Sequence, residues 1–187
     1  MNMIAKGAFI LLIGAIIGKF FSFAFRIIVA RLGEVAYGEL SLGLALLGFL
    51  SVISILGLDT GTLKFVSVFN AKENKQRIKG TILFASKTIF IISITLAILL
   101  YIFSDWIAVT FFDAERLGTI LKILAIALPF EGLRTVMTNS LKALKRIDYE
   151  VYGRVIGETF MKVVLAVTFI YLGLDIIGAA LAYTLSI

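Results

Sequence analysis

The residues of this sequence that could do chemistry are ionisable side chains placed inside long apolar stretches. Lys19, Ser22 and Arg26 follow one another at i, i+3 and i+7, a spacing that puts them on one face of a helix. A charge in hydrocarbon costs several kcal/mol unless it faces a wet cavity or a partner. We therefore expect this face to line a cavity suited to an anionic ligand, although Arg26 could instead snorkel to the outer headgroups.

A second polar face begins at Glu131 and Arg134, which are spaced i, i+3. The face continues through Thr138 toward two lysines further along the helix. Pro129 lies just before them and permits a kink, which membrane helices tolerate where they line a cavity. Glu131 and Arg134 could also simply pair with each other within the helix. Both interpretations stay open.

A third polar face contains Arg154, Glu158 and Lys162 at i, i+4 and i+8. Glu158 before Lys162 is the favourable order for a helical salt bridge, so a structural pair explains part of this pattern. Three polar faces directed at a shared interior nevertheless indicate a site for a transported substrate. The candidate substrate-binding residues are Lys19, Arg26, Glu131, Arg134, Glu158 and Lys162.

Long apolar stretches that contain these faces fill most of the 187 residues. Hydrophobic residues make up 60% of the chain, charged residues 16%, and the mean hydropathy is +1.06. The stretches lack the alternation of strands and exceed the ~10 residues of a barrel strand. They are long enough to cross a hydrocarbon layer of about 30 Å as helices. The sequence predicts one all-α domain, a polytopic membrane bundle with helices at 7–30, 36–58, 80–104, 117–141, 151–173 and 176–187.

The last of these helices is too short to cross a membrane, so we expect the chain to be the N-terminal part of a longer protein. Lys and Arg residues at the span ends predict a cytoplasmic N-terminus, because basic loops stay inside. The outer segments would hold only Arg31 and Arg116. The inner segments would hold Lys6, Lys64, Lys72, Lys75, Arg77, Lys79, Lys142, Lys145, Arg146 and Arg154.

Two packing patterns accompany the spans. Gly7, Gly14 and Gly18 form a small-residue stripe in the first helix, and such stripes let helices approach closely. Between the second and third spans, apolar residues recur every three positions at Leu63, Val66 and Phe69. That recurrence predicts an additional helix lying along the inner membrane interface.

Several function classes find no support in the sequence. There is no cysteine and no histidine, so thiol chemistry and the usual zinc sites are excluded. No phosphate-binding loop, nucleophile elbow or paired catalytic carboxylates occur. We therefore predict no enzyme activity, no cofactor and no metal. The basic residues do not gather on one soluble face, so nucleic acid is not an expected partner.

The sequence also resembles a known family. The turn ARLGEVAYG at residues 30–38, the GLDTG that closes the second span at 57–61, and the LGLDIIGAALAY segment at 172–183 carry the resemblance. Together they are similar to the N-terminal part of the Wzx-like polysaccharide-biosynthesis flippases. These proteins belong to the multidrug/oligosaccharidyl-lipid/polysaccharide exporter superfamily.

The resemblance implies a plasma-membrane protein of two six-helix lobes, of which the C-terminal lobe is missing from this chain, with alternating access to a central cavity. Its substrate would be a polyprenyl-diphosphate-linked oligosaccharide moved from the inner to the outer leaflet, with cations such as Lys19 and Arg26 on the diphosphate. Two alternatives are a lipid II flippase, disfavoured because Ile27 replaces an acidic residue, and a multidrug cation antiporter. A purely structural membrane scaffold is a third alternative.

Overall fold

The computed structural model describes residues 3–146, 149 and 151–187, with side chains from residue 12 onward except at 152, 154 and 155. Within these residues every regular element is helical, which confirms the predicted all-α fold. The side chains of Lys6 and Arg154 lie outside the described residues. The helices are α1 (Met3–Ala30), α2 (Glu34–Ile55), α3 (Leu58–Ala71), α4 (Lys75–Phe112), α5 (Glu115–Ala143), a π-helical segment (Val151–Glu158), α6 (Thr159–Tyr171) and α7 (Asp175–Ser186).

The second predicted span continues past a break into an additional helix. Leu56 and Gly57 adopt left-handed backbone angles, with φ of 48° and 73°, and they separate α2 from α3. Thr62 and Val66 of α3 are buried, and this helix packs against both α4 and α5. The helix predicted after the second span therefore exists and packs against the bundle, and its position along the inner membrane interface stays a prediction.

The third predicted span is longer at both ends than the sequence indicated. Helix α4 has 38 residues, which corresponds to about 57 Å at ~1.5 Å per residue. Asn74 starts it, because its side chain accepts a hydrogen bond from the backbone N–H of Arg77 at 3.0 Å. Asp113 ends it with a left-handed φ of 49°. The N-terminal extension gave no hydropathy signal, since the first turn of this helix is polar.

Among the described residues, three stretches are long and apolar enough to cross a membrane by length and composition, namely Leu12–Ala30, Glu34–Ile55 and Lys75–Phe112. Helix α5 carries more charge, including Lys122, Glu131 and Arg134. Helix α7 is apolar but has only 12 residues. The other predicted spans are thus helical in the structure without meeting that criterion.

Helix α5 forms the centre of the bundle. It is antiparallel to α4, and a Cβ placed on Gly132 would lie 2.5 Å from the Ile89 side chain. Leu124 and Leu128 are fully buried in the main apolar cluster, and Leu124 lies opposite Gly43 of α2. These close approaches hold α2, α4 and α5 together as one packed unit.

Helix α1 packs mainly on the π-helical segment and α6. The contact is close at Gly14, where any Cβ would collide with the Val151 side chain. Gly18 is buried one turn further along. The small residues of α1 therefore bring its polar face next to the polar face that begins in the π-helical segment.

Candidate substrate site

A cavity of about 610 Å³ opens between α1, α5 and α6. Its α1 wall contains Lys19, Ser22 and Arg26, which the helical repeat places on one face. The opposite wall contains Arg134 from α5 and Lys162 from α6. Glu158 and Thr159 complete that wall where the π-helical segment joins α6. Four cationic side chains from three helices thus face one space.

An ion-pair network connects α5 with the π-helical segment and α6. Arg134 donates from Nη2 to Oε1 of Glu131 and from Nη1 to Oε2 of Glu158. Lys162 Nζ lies 3.5 Å from the other oxygen of Glu158. Because Arg134 presents a planar fork with several donors, it can bind two carboxylates at once. The network ties together residues separated by 24 positions in the chain.

Helix α7 also contributes to this network. The Lys162 ammonium nitrogen lies 4.4 Å from the centre of the Tyr183 ring, a distance at which a cation is attracted to an aromatic face. The side chains of Lys162 and Glu158 are only 14% and 12% exposed. Lys162 is thus held from two sides, by the Glu158 carboxylate and by the Tyr183 ring.

The α1 cations differ from this network because they are not neutralised. Lys19 and Arg26 are both exposed to the cavity, and neither makes an ion pair with any side chain that the structure describes. Around the cavity, four cations face two carboxylates, Glu131 and Glu158. The described side chains therefore leave a formal excess of two positive charges, both on α1.

Two further chambers adjoin the cavity. One, of about 560 Å³, shares Ser22, Arg26 and Lys162 with it and extends toward Tyr37 at the start of α2. The other, of about 490 Å³, shares Arg134 and Glu158 and extends in the opposite direction. Arg26, Lys162, Arg134 and Glu158 each line two of these spaces.

Comparison with known proteins identifies the family. A family model described as "Polysaccharide biosynthesis protein" matches residues 4–187, almost the entire chain. The chain belongs to this family. The resemblance noted in the sequence is therefore confirmed. A search of curated proteins gave no match.

A solved structure extends the comparison to the fold. It shows the outward-facing conformation of a multidrug resistance MATE family transporter of the MOP superfamily, with a TM-score of 0.76 and 20% sequence identity. The match covers 97% of this chain and 42% of that chain. This family member is thus a multi-pass membrane protein, and the predicted all-α membrane bundle is confirmed.

The structure brings the six predicted site residues of this polysaccharide biosynthesis family member into one region. Five line the cavity, and the sixth, Glu131, is ion-paired to Arg134 behind its wall. The helical pairs Glu131 with Arg134 and Glu158 with Lys162 are both present, as the spacing allowed. Two features were missed, the bridge from Arg134 to Glu158 and the position of Tyr183. No signal within a single helix could reveal them, because both depend on how different helices pack.

Proposed function

We propose that this chain forms part of a flippase that moves a polyprenyl-diphosphate-linked oligosaccharide from the inner to the outer leaflet. The observation that carries the proposal is the pair of unneutralised cations, Lys19 and Arg26, on the cavity face of α1. Membership of the polysaccharide biosynthesis family supports the glycan part of the substrate. The second lobe of such a transporter would lie outside this chain, which spans 42% of the transporter with the same fold.

Charge favours a diphosphate as the ligand of this cavity. Lys19 and Arg26 are seven positions apart on α1, a rise of about 10.5 Å, and both side chains can bend toward an anion between them. The Arg26 guanidinium can grip two phosphate oxygens at once, whereas the Lys19 ammonium acts as a point charge. A polyprenyl tail would remain in the bilayer while its diphosphate occupies the cavity.

In this proposal the network has a different role from that of the α1 cations. Arg134 and Lys162 are engaged by carboxylates, so their charges are largely neutralised in the arrangement seen here. The network separates the central cavity from the chamber lined by Thr138 and Tyr149. If the substrate diphosphate replaced one of these carboxylates, Arg134 or Lys162 would bind the diphosphate and the displaced carboxylate would be released. We therefore assign Glu131, Arg134, Glu158 and Lys162 to substrate binding through such an exchange.

The multidrug-exporter alternative has less support from the site. A cationic drug would need an available carboxylate, yet Glu158 is bonded to both Arg134 and Lys162. Glu131 keeps one oxygen without a hydrogen-bond partner among the described residues, but its other oxygen is bonded to Arg134. Next to an excess of positive charge, a cationic cargo would be repelled.

The proposal is tested by surface glycan export in cells that depend on the full-length protein. Lys19→Ala or Arg26→Ala should reduce export at least tenfold, because each removes a charged hydrogen bond worth about 1.5–3 kcal/mol. Lys19→Arg should retain part of the export, since the charge is preserved and only its geometry changes.

Lys75→Ala is the matched control, because it removes a lysine from the exposed first turn of α4. It should leave export unchanged. Immunoblotting of the membrane fraction should show equal amounts of all variants. Normal export by a Lys19→Ala, Arg26→Ala double variant would mean that these cations are membrane anchors, and the diphosphate assignment would have to be abandoned.

A further inference from the structure

A groove separate from the central cavity runs between α3 and the first turns of α4. Its volume is about 1000 Å³, and its aromatic walls are Phe65 and Phe69 from α3 and Phe84 from α4. The rings of Phe65 and Phe69 stack with their centres 6.4 Å apart. Phe65 is 52% exposed and Phe84 is 67% exposed. Clustered exposed aromatic surface of this kind marks a site of contact with a lipid or a partner.

One end of the groove is cationic, since Arg77 lines it there. The Arg77 guanidinium carbon lies 5.6 Å from the centre of the Phe69 ring, which holds this side chain over the groove. The first turn of α4 contains no acidic residue, and Glu73 is the one acidic residue between positions 64 and 79. The same stretch contains the basic residues Lys64, Lys72, Lys75, Arg77 and Lys79. An anionic ligand is therefore favoured at this end.

The depth of the groove relative to the bilayer follows from the preceding span. The charge-free part of α2, residues 40–55, is about 24 Å long, somewhat less than the hydrocarbon thickness of about 30 Å. Leu58, which follows α2 directly, lines the groove together with Ala85. The end of the groove at these two residues therefore lies at the edge of the hydrocarbon. Arg77 is eight residues from Ala85, about 12 Å further out, and its long side chain can reach back into the headgroup layer.

We propose that this groove binds an anionic phospholipid of the adjoining leaflet. The lipid phosphate would lie at Arg77, and the first part of an acyl chain would lie against Phe65 and Phe84. A free phosphate would leave the aromatic walls unused, and a zwitterionic lipid would place its own cation beside Arg77. The site is independent of the substrate proposed for the central cavity, because the two share no lining residue.

Native mass spectrometry of the detergent-purified protein tests the proposal. The protein is titrated with phosphatidylglycerol or with phosphatidylcholine of identical acyl chains. We expect phosphatidylglycerol to bind at least about fivefold more tightly, and Arg77→Gln to remove that preference, since one interfacial cation contributes a factor of about five. Phe84→Ala should weaken both lipids, because it removes the apolar wall that they share.

Lys145→Gln is the matched control, since it removes one positive charge at the end of α5, outside the groove. It should leave the preference intact, and Arg77→Lys should keep most of it. Circular dichroism should show equal helix content in all variants. Equal retention of the two lipids by the wild type would overturn the proposal. So would an equal loss in Lys145→Gln and Arg77→Gln, or complete displacement of the lipid by inorganic phosphate.

Discussion

Replacing Glu158 with glutamine removes the carboxylate on which the ion-pair network depends. Glu158 accepts from both Arg134 and Lys162, so the substitution leaves two enclosed cations with fewer partners. Breaking a buried ion pair by removing one member costs about 3–5 kcal/mol. We expect the lower end of that range, about 3 kcal/mol, because Arg134 keeps Glu131 and is 23% exposed.

For a chain of this length, about 3 kcal/mol corresponds to a fall in the apparent melting temperature of roughly 6–12 °C. Thermal unfolding in detergent, followed by circular dichroism, measures this change. Lys122→Gln is the control, because it breaks a salt bridge with Asp105, whose side chain is 66% exposed. That variant should cost less than about 1 kcal/mol.

The network account also predicts non-additivity. The double variant Glu158→Gln, Arg134→Gln should be destabilised by at least about 1 kcal/mol less than the sum of the two single variants, because contacting partners are coupled. A melting temperature of Glu158→Gln equal to that of Lys122→Gln would refute the reasoning. Strict additivity in the double variant would refute it as well.

Two further predictions concern packing and topology. Gly14→Leu should lower the apparent melting temperature clearly, since even a Cβ there collides with Val151. Ile16→Leu on the exposed face should change it little. Equal melting temperatures of the two variants would contradict the close packing of α1 at Gly14. Cysteine introduced at Asn74 should be labelled by an impermeant reagent only from the cytoplasmic side, and cysteine at Glu34 only from outside; labelling of both from one side would contradict the predicted orientation.

The general architecture could be predicted from the sequence because it depends on local properties. An apolar run of fixed length determines a membrane helix, and helical spacing determines which charges share a face. Lys19 and Arg26 were placed on one face by their separation alone. The same rule gave the pairs Glu131 with Arg134 and Glu158 with Lys162.

The features that escaped prediction depend on contacts between helices or on backbone geometry. The bridge from Arg134 to Glu158 requires that α5 and the fifth span pack in a particular register. The packing of α3 against α4 and α5 likewise depends on contacts between helices, although the end of the second span and the helix after it were predicted. The polar first turns of α4 gave no hydropathy signal, although Asn74 caps them.

Equilibrium binding of a polyprenyl diphosphate to the purified full-length protein tests the central claim most directly. The corresponding polyprenyl monophosphate serves as the comparison ligand, since it has the same tail and a smaller negative charge. We predict tighter binding of the diphosphate, and a loss of at least about tenfold in its affinity on Lys19→Ala or Arg26→Ala. Wild-type affinity for the diphosphate in the Lys19→Ala, Arg26→Ala double variant would contradict the account.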